Sequence, residues 1–292
     1  MNYLNLKYLQ KASIGAVDNN HDNFRKYIAL KSSSSKNTDG WIIPNKLLPV
    51  NRSATANILI EANIIKRKKT VIKISKNKDL LEKDYNVSLQ LAELNIPNYI
   101  KYLGFFTCLD NIDKNKALPK FFCSNKGENN YFLIMEYFPL GSLASYIPQT
   151  LDEVISIINQ VIASSITAFE KNGFIHGDLH PGNILIKKTK KKKFDYPIKS
   201  IKTAGIKIIL FDFDRSKFNG DFMTLFVELS TFINIYEKLL LDKNIFLIKN
   251  NKTPFSSIKK DFYSITNIAG LKNKYIINYV KKCIWRSNNT KR

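Results

Sequence analysis

Cysteine is scarce. Cys108, Cys123 and Cys283 are the only ones in 292 residues, odd in number and without a C-x-x-C pair. This argues against a disulfide framework or a zinc site, and reduced thiols are expected. Long apolar runs are missing too. The stretch Ile208-Ile209-Leu210-Phe211 is typical of the longest, far short of the roughly 20 residues that a membrane-spanning helix needs. The segment Met1 to Lys7 carries no charged region followed by an apolar core. No secretory signal and no membrane insertion are expected, and the expected location is intracellular, in the cytoplasm. Acidic residues are the third shortage: Asp and Glu number 24 against 46 Lys and Arg, a net charge of +22. Such a balance can mark a nucleic-acid or acidic-membrane partner. The excess is mostly lysine, however, spread along a chain rich in Asn and Ile, a mixture that A/T-rich coding produces, and a nucleic-acid partner ranks last. Hydrophobic residues at 44% and aromatics at 12% exclude a disordered chain. The length suits one large domain or two modest lobes.

The texture changes along the chain. Residues 1–40 read as a polar N-terminal segment, with a helix expected over the first ten residues and a serine connector at Ser32–Ser35. Short β-type stretches follow at Leu47–Val50, Ile58–Ile60 and Thr70–Ile74. Apolar spacing predicts a helix over Asp79–Leu94, stopped at Asn95-Ile96-Pro97. Strands are expected at Tyr99–Phe106 and Tyr131–Glu136, on either side of a polar insertion at Asp110–Asn130. After the turn Pro139-Leu140-Gly141-Ser142 a long amphipathic helix is predicted over Leu151–Lys171, ending at Asn172-Gly173. Strands at Ile184–Ile186 and Ile206–Phe211 flank a lysine-rich insertion, 187–203. Phe222–Leu241 is apolar around most of its circumference and predicts a buried helix with no ligand role.

The chemistry concentrates in Phe174-Ile175-His176-Gly177-Asp178-Leu179-His180-Pro181-Gly182-Asn183-Ile184 and, downstream, in Leu210-Phe211-Asp212-Phe213-Asp214. Phosphoryl transfer uses this set: one carboxylate to orient or deprotonate a hydroxyl, and an Asn and an Asp to hold Mg²⁺ on phosphates. His176 and His180 stand four apart, but the Gly-Asp-Leu between them and the Pro after them read as a loop, which argues against a zinc-binding pair.

On these motifs the sequence resembles the protein-kinase-like superfamily, from about Leu47 to about Leu241. The His-Gly-Asp-Leu-His-Pro-Gly-Asn variant resembles the aminoglycoside-phosphotransferase and ABC1-like branches, and the overall texture resembles divergent serine/threonine kinases of large DNA viruses. The resemblance implies an α+β, bilobal kinase-like fold, with a β-rich N-lobe over 41–138 and an abbreviated helical C-lobe over 139–292. It implies ATP and Mg²⁺ as cofactors. Lys73, in Val71-Ile72-Lys73, would pair with the phosphates, and Asp178 would be the catalytic carboxylate. His180 stands at the catalytic-loop lysine position, where it would contact the γ-phosphate or the substrate. Asn183 and Asp212 would bind metal, with Asp214, at the family's glycine position, as a further carboxylate. Met135 would be the gatekeeper, with Glu136 and Phe138 offering backbone to adenine. His176 would be a buried histidine bracing the Asp212 segment.

Departures accompany the matches. The phosphate loop, G-x-G-x-x-G-x-V, falls on Asn51, Ser53, Ala56 and Ile58, so it holds no glycine. The acid partner of Lys73 is Asp84, Glu82 or Glu93, with Asp84 favoured, because ungapped spacing selects Val87. Gly177 replaces the arginine that reads a phosphorylated activation loop. Only 78 residues (292 − 214) follow Asp214, so the usual peptide-binding helices are not all expected. The lysine run 187–193 reads as a solvated hairpin beside the active site, or as an attractor of an acidic acceptor to that cleft. Asp221 is expected to cap the last helix and is also placed to bind the catalytic-loop backbone. The combined reading is MgATP-dependent transfer to a hydroxyl, with a protein serine or threonine as the expected acceptor. A hydroxyl-bearing small molecule is the first alternative and a non-catalytic pseudokinase scaffold the second.

Overall fold

The computed structural model describes residues 58–64, 68–75, 77–102, 104–107, 131–197 and 200–243. The expected N-terminal helix, the serine connector, the strand at Leu47–Val50 and the insertion at 110–130 lie outside them, as do Asn51, Ser53 and Ala56. The chain divides into two compact units, one formed by Met1–Leu89 with Lys101–Tyr137, the other by Gln90–Ile100 with Phe138–Arg292. Its elements, strands plus helices, make an α+β architecture. No helix among the described residues is long and apolar enough to cross a membrane.

In the first unit β1 (Ile58–Ile64), β2 (Lys68–Ser75), β3 (Gly104–Thr107) and β4 (Tyr131–Glu136) form an antiparallel sheet in the order β1-β2-β4-β3. Side chains alternate across a strand, so Val71, Lys73 and Ser75 share one face, and all three are buried. Helix α1 (Lys78–Glu93) carries its buried stripe on Leu81, Asp84, Tyr85, Val87, Ser88 and Leu91, the spacing of one helical face. Tyr85 stacks on Phe105 with ring centroids 6.0 Å apart. The strand expected over Tyr99–Phe106 is only half realised. Its first part instead makes a parallel bridge from Tyr99 to Leu210, and β3 begins at Gly104.

The second unit is organised by helix α2 (Leu151–Asn172). Thr150 caps it by accepting the Glu153 N–H, and Gly173 ends it at φ 68°, giving its own N–H to the Phe169 carbonyl. Strands β5 (Ile184–Lys188) and β8 (Ile206–Leu210) pair antiparallel. The insertion between them is itself a two-stranded ladder, β6 (Lys193–Asp195) with β7 (Ser200–Lys202). Buried polar groups hold this unit in register. Gln160 on α2 accepts the Ile208 N–H and donates to the Ile206 carbonyl, and Asn98 donates to Gln160 and to the Ile208 carbonyl. The outward backbone groups of β8 are thus satisfied by these side chains at Ile206 and Ile208 and by the backbone of Asn98 and Ile100 at Leu210.

Helix α3 (Phe222–Asp242) closes the described part of the unit. It is not buried all round. Phe222, Leu225, Phe226, Leu229, Phe232 and Tyr236 face inward, whereas Met223 and Val227 are 52% and 57% exposed. Thr231, Asn234 and Lys238 are exposed as well, so the expectation of a buried helix fails on that side.

Candidate active site

Lys73 and Asp84 meet inside the first unit. Lys73 Nζ lies 3.2 Å from Asp84 Oδ2, with side-chain exposures of 7% and 0%. Glu82 pairs instead with Lys78, 3.7 Å away on the helix surface, and Val87 is in the core. The Tyr102 hydroxyl donates to the Asp84 carboxylate, at 2.9 and 3.0 Å from its two oxygens. Tyr102 is a partner that the sequence alone did not single out. An aspartate on the apolar stripe of α1 and a lysine on the buried face of β2 are the signals that predict this pair. Breaking a buried pair by removing one partner costs about 3–5 kcal/mol, because the other charge stays buried. Asp84→Asn is therefore expected to lower unfolding stability by about that amount. Lys73→Met/Asp84→Asn should recover part of it, as urea titration of the two variants will show.

Met135 is buried on β4, paired in register with Val71. Glu136 ends that strand opposite Thr70. The Phe138 carbonyl accepts the Gly141 N–H at 2.9 Å and so shapes the following turn, while Lys187 Nζ sits 5.8 Å above the Phe138 ring. Ile58 is the first residue of β1.

In the second unit the motif 174–183 folds back on itself. The Asn183 side chain donates to the Asp178 carbonyl at 3.0 Å and faces Asp178 Oδ2 at 3.5 Å. Asn183 Oδ1 accepts no hydrogen bond from the described residues. The β5–β8 register, with Phe211 N–H bonded to the Asn183 carbonyl at 3.2 Å, brings Asn183 and Asp212 to the same end of one ladder. Asp212 has φ 69°, a left-handed conformation that Asp tolerates better than most residues and that strained functional sites often use. Asp214 is buried and has no such φ, so this backbone does not require the glycine of the family motif. No three His, Cys, Asp or Glu side chains converge as a metal site among the described residues. A set of amide and carboxylate oxygens around Asn183 and Asp212 matches a hard cation that keeps water and phosphate oxygens as its other ligands.

His180 caps the short 3₁₀ turn Pro181–Asn183, its Nδ1 accepting the Gly182 N–H at 3.0 Å. That bond leaves Nε2 as the protonated nitrogen, 3.9 Å from Asp178 Oδ2. Arg215, a residue not foreseen, places Nη1 3.6 Å from Asp178 Oδ1 from an exposed position. His176 is buried, its Nε2 donating to the Phe211 carbonyl at 3.0 Å, with its ring against Phe213. Burial pushes its pKa below the ordinary 6.5, against the pull of Glu228 and Asp212.

The residue that holds the loop's backbone is Glu228. Its carboxylate accepts the His176 N–H at 3.2 Å and the Gly177 N–H at 2.6 Å. Asp221, the residue expected there, spends both oxygens on Thr224 and serves only as the cap of α3. Desolvation raises the Glu228 pKa above 4.5, opposed first by His176 and then by the loop's N–H groups. Glu228→Gln replaces one acceptor oxygen by an NH₂ facing an N–H, at a cost of about 1–3 kcal/mol. The pH dependence also changes. A raised acid contributes stability at low pH that is lost as pH rises through its folded pKa. The lowered His176 contributes stability at high pH that is lost as pH falls from 6.5 through its folded pKa. In the wild type the two oppose each other on acidification. In Glu228→Gln only the histidine effect remains, so the drop in Tm between pH 7 and pH 5 should be larger than in the wild type.

The lysine run is not beside Asp178. In the β5–β8 ladder Ile184 pairs with Leu210 at the Asp212 end and Lys188 with Ile206 at the other. Four residue steps separate these ends, about 14 Å at strand spacing. The hairpin therefore leaves from the far end of the ladder and lies against the start of α2, since Ser156 donates to the Lys202 carbonyl at 2.8 Å.

Residues 66–199 match the protein tyrosine and serine/threonine kinase family, a span that holds Lys73, Asp84, Asp178 and Asn183 and stops short of Asp212. The serine/threonine-protein kinase haspin of Bos taurus is 30% identical over 110 residues, 35% of this chain and 14% of that protein. The haspin homolog of Arabidopsis thaliana is 27% identical over 154 residues, 51% of this chain and 26% of that protein. The serine/threonine-protein kinase unc-51 of Caenorhabditis elegans is 31% identical over 116 residues. The alignments thus span at most about a quarter of the haspin-type relatives. Together with the elements above they give an α+β, kinase-like fold and support a relationship to the protein-kinase-like superfamily.

Proposed function

We propose that the chain is an ATP- and Mg²⁺-dependent phosphotransferase acting on a serine or threonine hydroxyl of a protein. The observation that carries the reading is the loop of the second unit. There Asn183 is locked on the Asp178 carbonyl with its Oδ1 unengaged by the described residues, and Asp212 stands at the same ladder end. When bound, ATP would supply the phosphoryl group and Mg²⁺ would neutralise its charge. Asn183 and Asp212 would hold the metal, and Asp214 would add negative charge nearby. Asp178 would orient the acceptor hydroxyl and take its proton. Nε2 of His180 is the atom left to meet a phosphate or substrate oxygen. In the first unit Lys73, fixed by Asp84, would meet the nucleotide's phosphates. Met135, Glu136 and Phe138 would border adenine, and Ser53, Ala56 and Ile58 would follow the phosphates.

The named relatives are serine/threonine kinases, which puts a protein acceptor first. A small-molecule acceptor is the second reading, favoured by Gly177 and by the His180-Pro181-Gly182-Asn183 turn, which resembles aminoglycoside phosphotransferases. Retention of Lys73, Asp84, Asp178, Asn183 and Asp212 together argues against a pure scaffold. Transfer of label from γ-³²P MgATP by the full chain, wild type against Asp178→Asn, tests the proposal. Transfer lost in the variant supports it, and equal transfer in both, or none by the wild type to any protein or small-molecule acceptor, overturns it.

A further inference from the structure

The hairpin and the start of α2 border an open cavity of about 1070 Å³ within the second unit, lined by Lys190, Lys191, Lys192 and Lys202, with Leu151 and Ile155 contributing apolar surface. Asp152 is its single carboxylate. Among the described residues no carboxylate pairs with Lys190, Lys192 or Lys202. The neighbouring charges are differently engaged: Lys193 pairs with Asp195 at 3.4 Å, and Lys191 and Lys207 lie over the Phe194 ring. The frame is fixed, since Thr203 donates from its N–H to the Lys192 carbonyl and from its hydroxyl to the Lys191 carbonyl, and Ser156 holds Lys202. Lys190, Lys192 and Lys202 are exposed and give the concavity a positive potential, which favours an anionic occupant.

We propose that this cavity docks an acidic peptide segment bearing an aliphatic side chain. Its carboxylates would meet Lys190, Lys192 and Lys202, and its aliphatic group would lie on Leu151 and Ile155. Leu151 is 39% exposed, an apolar surface that a compact inorganic anion would leave bare. No aromatic side chain lines the cavity, so it lacks the stacking platform that single-stranded nucleic acid uses. The docking position is separate from Asp178 by the length of the β5–β8 ladder and does not depend on phosphoryl transfer.

The test is fluorescence anisotropy of the full chain, without nucleotide, titrated into a fluorescein-labelled Glu/Leu peptide that contains no Ser, Thr or Tyr. The variant K190E/K192E/K202E is compared with K83E/K101E/K238E, which makes the same charge change at exposed positions elsewhere. The first is expected to weaken binding about tenfold or more and the second less than about twofold. K190Q/K192Q/K202Q, with no reversed charge, is read in parallel by binding and by Tm, and should weaken binding severalfold with Tm unchanged. Equal weakening by both triple reversals, no binding by the wild type, or tighter binding of a poly-dT oligonucleotide through the same lysines would overturn the proposal.

Discussion

Asp178→Asn is expected to reduce phosphoryl transfer by about 10²–10⁴-fold, the range over which a positioned general base contributes, while nucleotide binding stays near wild type. The two effects separate because of how the loop is held. Asn183 is anchored on the backbone carbonyl of Asp178, a contact at 3.0 Å that a side-chain substitution leaves in place. The amide has the size of the carboxylate, so its neighbours Arg215 and His180, at 3.6 and 3.9 Å, need not move. What is lost is the negative charge and the basic oxygen. Single-turnover transfer, together with nucleotide affinity measured separately, distinguishes this from a general collapse of the site. Loss of both in parallel would mean that Asp178 serves the loop's structure and not the reacting hydroxyl. Arg215→Gln is the companion control, because it removes the exposed cation near Asp178 and keeps the carboxylate.

The parts legible in the sequence were those written in local spacing. The helices over 79–94, 151–171 and 222–241 lie within a residue or so of α1, α2 and α3, because their apolar period or capping residues are contiguous. The pairing of Lys73 with Asp84 was within reach for the same reason: both stand on buried faces that periodicity marks out. Contacts made across long sequence separations left no such trace. Glu228 reaches His176 over 52 residues, from the middle of a mostly apolar helix, and local spacing did not favour it over Asp221, which has an evident capping role. The lysine run was misplaced for a related reason. Adjacency in sequence to Asn183 and Asp212 suggested adjacency in space, whereas an antiparallel ladder carries an insertion to the end remote from its flanking residues. Tyr99 and Tyr102 read as strand residues by composition, but the backbone here pairs with Leu210, through the Ile100 N–H and the Asn98 carbonyl, a partner more than a hundred residues away that local spacing does not reveal.

Gly177 gives the second large effect. Its φ is +79°, and a Cβ built there lies 2.3 Å from the Arg215 carbonyl oxygen and 2.8 Å from its carbon. Gly205, at φ +81°, has nothing within 4 Å of a Cβ. The pair separates conformational strain from steric contact. Gly205→Ala should cost only the left-handed conformation, about 1–2 kcal/mol. Gly177→Ala bears the same strain and must also displace backbone, and neither side can yield cheaply. Ile175 and Lys217 exchange two backbone hydrogen bonds, at 2.8 and 3.0 Å, that tie the two segments together, while Glu228 grips the Gly177 N–H. A loss of about 3 kcal/mol or more is therefore expected for Gly177→Ala, with phosphoryl transfer falling as Asp178, the next residue, is carried out of place. Gly177→Arg, which restores the residue common in phosphorylation-controlled kinases, should be no better than Ala, because its Cβ meets the same carbonyl. Urea unfolding of Gly177→Ala, Gly177→Arg and Gly205→Ala settles the ranking. Equal costs at 177 and 205 would show that the close approach to Arg215 is not what demands glycine. Recovery of activity in Gly177→Arg would show that the missing arginine, and not the packing of the loop, sets this chain apart.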